Sequence, residues 1–177
     1  MRQSSKTALG GIISALSVLL MFLTAVIPFM TYAVPLIAGT LLVLMVREVG
    51  SGWAFAVYAA VSLLAVFIIP DKEAATFYVA FFGYYPIIKP HIEKRLPKAL
   101  QWIIKYLIFN LACVAGVALT IYVFGIPFDE TGKLGKYGVY IALALANVTF
   151  LFYDILLDKL IYLYDKRWRK SFLRIFK

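Results

Sequence analysis

The chain has 177 residues, 63% of them hydrophobic and 15% charged, with a mean hydropathy of +0.89. A soluble domain is roughly half apolar and a quarter charged, so this balance excludes one and predicts a single integral membrane domain. The net charge of +9 is read against loop position, because cytoplasmic loops collect Lys and Arg, and no nucleic-acid partner is expected.

A helix needs about 20 mainly apolar residues to cross the hydrocarbon core, and six such runs fit the length with little left over. The first, 8–29, follows Arg2 and Lys6 and is too long for the core of a signal peptide. Thr7, Gly11 and Ala15 recur there at four-residue spacing on one face, a small-residue pattern that lets helix backbones approach closely in lipid. The second run, 32–46, has Pro35 in its first turn, where the missing N–H is harmless. A glycine-bearing turn with Arg47 and Glu48 leads to the third, 53–69, which stops at Pro70.

Asp71, Lys72 and Glu73 form a short charged connection into the fourth run, 74–88, where Gly83 and Pro86 break an aromatic segment. This run is short for a bilayer, so it needs local thinning or help from a snorkelling Lys89 at its end. The basic stretch that follows, with Pro90, His91 and Pro97, reads as a solvated loop. The fifth run, 102–124, and the sixth, 137–157, flank a turn-rich loop, and the basic tail 158–177 has the apolar spacing of an amphipathic interfacial helix. The predicted fold is all-α: one bundle of six transmembrane helices with that interfacial helix at its end.

Fourteen Lys and Arg residues fall on the side shared by the N-terminus, the second and fourth connections and the tail; three fall on the other side. This asymmetry predicts a multi-pass cell-membrane protein with both termini cytoplasmic. The ionisable residues inside spans are Lys105 and Asp154, near the ends of neighbouring helices, and they are expected to form a structural ion pair. Asn110 and Asn147 come to comparable depth on antiparallel spans, where they either bond each other as interhelical glue or line a cavity.

Asp71, Lys72, Glu73 and Tyr78 are candidate substrate-binding residues at an outward-facing mouth, opposite Asp129, Glu130 and Lys133 of the last outer loop. A plain water-exposed turn is the alternative. In the tail, Lys166, Arg167, Trp168, Arg169, Lys170 and Arg174 suit anionic lipid headgroups or a partner protein. Asp154 and Asp158 share a helical face, but no nucleophile, metal-ligand pair or phosphate-cradling glycine motif accompanies them. No enzymatic activity, cofactor or metal is expected.

Six short spans with both ends inside, the opening run ALGGIISALSVLLMFLTAVIP, the segment YAVPLIAGTLLVLMV and the glycine turn VGSGWAF together resemble the substrate-binding S components of energy-coupling factor transporters. In that family the small-residue face of the first span packs on a transmembrane coupling subunit. The resemblance assigns that role to Gly11 and Ala15, with glycine replacing the first alanine of the usual pair. It implies a vitamin-like small-molecule ligand and partner ATPase subunits that supply the energy, since this chain has no Walker motif. The alternative is a membrane scaffold or assembly protein acting through helix packing and its basic tail.

Overall fold

In a bilayer each backbone N–H and C=O must be bonded within its own segment, and helices do this without partners. The computed structural model describes residues 2–27, 30–125 and 138–169, and every regular element among them is helical. Helix α1 is Gln3–Val26, α2 is Ala33–Glu48, α3 is Ser51–Ile68, α4 is Lys72–Phe77, α5 is Tyr85–Arg95, α6 is Lys98–Tyr122 and α7 is Gly138–Leu163. Two π turns extend this set, Tyr78–Phe82 after α4 and Tyr164–Trp168 after α7. Four helices are long and apolar enough to cross a membrane: α1, α3, α6, and α7 with its π turn.

The short connections have local causes. Between α2 and α3, Gly50 takes φ +116°, a conformation that only glycine adopts without strain, and its N–H bonds the Met45 carbonyl at 3.0 Å. Ahead of α4, the Asp71 carboxylate accepts the Ala74 N–H at 3.0 Å as an N-cap.

Pro86 shapes the next stretch. It has no N–H for the Phe82 carbonyl, so the helix loosens into a π turn, closed by the Gly83 N–H on the Tyr78 carbonyl at 2.8 Å. The helix then restarts with Pro86 in its first turn.

Two expectations require correction here. The stretch beyond Lys89 is not a loop: α5 continues to Arg95 with Pro90 inside it, and α6 starts at Lys98. Ion pairs from Lys89 and Glu93 to neighbouring helices hold those turns in helical register. The tail, as far as Arg169, is a continuation of α7 rather than a separate interfacial helix. Glu48, 2% exposed at its side chain, draws the Arg169 guanidinium to 2.9 Å and the Tyr164 hydroxyl to 3.1 Å, while Arg47 pairs with Asp165. From Gly138 to Trp168 the helix covers 31 residues, about 46 Å, which is longer than a hydrocarbon core of about 30 Å.

Two apolar clusters form the interior. One joins α1, α2, α3 and α4 through Leu9, Met21, Leu42, Val61 and Ala75. The other joins α2, α5, α6 and α7 through Val43, Tyr85, Phe109, Phe150 and Tyr153. The α4–π–α5 element contributes to both, with Tyr78 in the first and Phe81 in the second.

Candidate functional site

Helical spacing lines up Tyr85, Lys89 and Glu93 on α5, and Asp154 and Asp158 on α7. Where these two stripes meet Lys105 of α6, the bundle holds a buried ionic cluster. Asp154 is at its centre: one carboxylate oxygen accepts the Tyr85 hydroxyl and the Lys89 ammonium, each at 2.5 Å, and the other accepts Lys105 at 2.9 Å. Lys89, with no exposed surface, also bonds the Asp154 backbone carbonyl at 3.1 Å, Asp158 at 2.9 Å and Glu93 at 3.2 Å. Glu93 reaches across to Lys105 at 2.7 Å.

The sequence paired Lys105 with Asp154, and the two stand in contact. It did not place Tyr85, Lys89 or Glu93 in the same cluster. Lys89 does not snorkel to the surface: desolvating its ammonium is offset by four oxygen acceptors supplied by three side chains and a carbonyl. The four-residue spacing Tyr85–Lys89–Glu93 was the available signal, hidden by the two prolines that made the stretch read as a loop.

Chemically the cluster is a cross-link between three helices. Carboxylate oxygens of Glu93, Asp154 and Asp158 lie within 4.8 Å of one another, a spacing that suits a cation. The Lys89 ammonium bonds all three and so takes the place a cation would fill.

The proposed outer mouth is differently arranged. Asp71 caps α4 and accepts the Thr31 hydroxyl at 2.8 Å, and Lys72 donates to the Val66 carbonyl at the end of α3 at 2.8 Å. Both groups therefore serve helix ends. Glu73 is exposed in the first turn of α4, and Tyr78 is turned into the core, fully buried. Asp129, Glu130 and Lys133 lie outside the described residues, as do Lys170 and Arg174 of the tail. Arg167 and Trp168 are exposed, and Lys166 contacts the Tyr162 hydroxyl at 3.2 Å.

Asn110 and Asn147 face each other. Asn110 Nδ2 donates to Asn147 Oδ1 at 3.0 Å and the reverse bond is 3.2 Å; each amide also donates to its own helix, to Tyr106 O and Leu143 O at 2.8 Å. Both donors of each amide are thus engaged, which is the arrangement of interhelical glue. Asn110→Leu and Asn147→Leu in a double-mutant cycle should show a coupling of about 0.6–1.7 kcal/mol between α6 and α7, measured by unfolding in detergent.

On α1, Leu9, Gly10, Ile13, Ser17, Met21 and Thr24 turn inward. Gly11 and Ala15 are on the opposite, exposed side, and a Cβ added at Gly11 would meet nothing within 4 Å. No family model, curated protein or solved structure matches the chain, so the functional argument rests on these residues.

Proposed function

We propose that the chain is the small-molecule-binding membrane subunit of an energy-coupling factor type transporter, energised by ATPase subunits with which it assembles. The observation that carries this reading is the α1 surface. Leu9, Ile13 and Met21 are used inside the bundle, while Gly11 and Ala15 lie on the exposed side among the outward Ile12, Leu16 and Leu19, a small-residue notch between large apolar side chains into which a second helix in lipid can pack. The resemblance of the first three spans to S components gives that helix an identity, the coupling subunit.

The six-span arrangement forms part of the proposal. Thr31 and Asp71 meet at one end of the bundle, and Glu48 meets Tyr164 and Arg169 at the other, so α2 runs between the two ends although it has only 16 residues. The α4–π–α5 element runs likewise from Asp71 to the Glu93 end. The Lys and Arg asymmetry supports a cytoplasmic Glu48 end. A scaffold working through the basic tail has less support, because Asp165 and Arg169 are turned back onto α2.

Purification from the native membrane in mild detergent should bring down a helical coupling subunit and two-domain or paired ATPase activity. Gly11→Leu or Ala15→Leu should reduce the ATPase recovered by at least about tenfold, since about 1.4 kcal/mol of lost packing has that effect on an association constant. Equal recovery from wild type and both variants would contradict the proposal.

A further inference from the structure

Tyr78 and Tyr153 are 0% and 1% exposed, and neither hydroxyl has a hydrogen-bond partner among the described residues. Leaving a buried polar group unpaired is costly, so two such groups at one place require a reason that core packing does not supply. They share one place. Tyr78 Cε1 is 2.9 Å from where a Gly83 Cβ would stand, and Tyr153 Oη is 3.3 Å from where a Gly39 Cβ would stand, itself against the Phe82 carbonyl. Both rings therefore flank the Phe82–Gly83 step, at the end of the π turn and at the seam between the two apolar clusters.

Tyr58 provides a contrast. Its hydroxyl donates to the Val79 carbonyl at 2.7 Å, so the nearest comparable phenol is satisfied by the π turn itself.

We propose that this seam is the binding site for a neutral, planar ring compound whose edge carries hydrogen-bond acceptors, received by the Tyr78 and Tyr153 hydroxyls. The inference rests on the reading of the chain as a small-molecule-binding subunit and deepens it by naming the ligand class. Planarity suits the walls: Phe82 meets Tyr153 edge to face at 5.2 Å, and Tyr58 meets Tyr84 in the same way at 6.0 Å, so parting these pairs presents a ring face on one side, on which a flat ring stacks, and a ring edge on the other. Neutrality follows from the ionised groups beside Tyr153: Asp154 is already engaged by Lys89 and Lys105, which leaves a charged ligand without a free counter-ion in a low-dielectric setting. The acceptor follows from the phenols, whose O–H groups are the unspent donors. A ligand enters by parting the two clusters at the π turn, where the helix has already given up its regular ladder.

The test uses the full chain in detergent with benzamide as probe, and benzoate, benzylamine and cyclohexanecarboxamide as charged and non-planar controls. At tenfold excess over its Kd, benzamide should raise the melting temperature of the wild type by about 3–5 °C, and the controls should do so by less than a third of that. Tyr78→Phe with Tyr153→Phe should abolish the shift while melting, without probe, at or above the wild type, because the substitution removes only unpaired hydroxyls. No shift in the wild type, equal shifts from the controls, or an undiminished shift in the double variant would overturn the proposal. The transporter reading fails separately: ATPase copurification without a benzamide response removes only the site, and a benzamide response without ATPase removes only the transporter assignment.

Discussion

Asp154→Ala should destabilise the protein by about 3–5 kcal/mol, the usual cost of removing one partner from a buried charge pair. Two ammonium groups depend on that carboxylate. Lys89 has no exposed surface and Lys105 has 3%, so neither can turn to water when the carboxylate is lost. Lys89 would keep Glu93 and Asp158, and Lys105 would keep Glu93, but the acceptor at 2.5 Å and the bond of the Tyr85 hydroxyl would disappear together. The readout is thermal unfolding in detergent with tryptophan fluorescence and the monodisperse yield after size-exclusion chromatography.

The companion variant separates charge from packing. Lys89→Met, Lys105→Met and Asp154→Leu together remove the three buried ions of this cluster and should recover most of the loss, since apolar groups of similar volume commonly replace such clusters at little cost. Recovery would identify the cluster as a device for specifying how α5, α6 and α7 meet. A triple variant as unstable as Asp154→Ala would show instead that the bonds themselves hold the helices.

Much of this architecture is legible in the sequence, since hydrophobic runs of spanning length leave the backbone few options in lipid. The approximate positions of α1, α2, α3, α6 and α7 follow from those runs, and the Pro86 interruption follows from a missing donor. The helical course of 89–95 does not, because Pro90 and a dense set of charges are local signals for a loop. What overrides them is tertiary: Lys89 and Glu93 find partners on α6 and α7, more than 10 residues away in the chain. The same reason hides the cluster. Lys105 and Asp154 stand out as charges inside apolar runs, whereas Lys89 and Glu93 are disguised by their neighbours. The tail fails in another way: its amphipathic spacing is real, yet a buried acceptor at Glu48 keeps the described part in line with α7. Tyr78 stands out in the sequence as a candidate binding residue beside the Asp71 cluster, although it is turned into the core, whereas Tyr153 has no distinguishing neighbour in sequence.

Gly39→Ala is the second large effect expected. A helix-interior glycine normally gains close to 1 kcal/mol on replacement by alanine, and Gly11, with open space around it, should show that gain. Gly39 should do the reverse. Its new methyl would be 2.1 Å from the Phe82 carbonyl oxygen and 2.8 Å from the carbonyl carbon, both backbone atoms that no rotamer change can move. Overpacking of this kind typically costs about 1–3 kcal/mol, so the two alanine variants should differ in unfolding free energy by about 2–4 kcal/mol with opposite signs. The strain falls at the crossing of α2 with the π turn, which is the crossing that a ligand in the Tyr78–Tyr153 seam would widen. If the methyl is accommodated by holding that seam apart, Gly39→Ala should be rescued preferentially by benzamide, with a larger melting shift than the wild type shows. If it merely breaks the contact between α2 and the π turn, the variant should be unstable with and without the probe, and the shift should be lost.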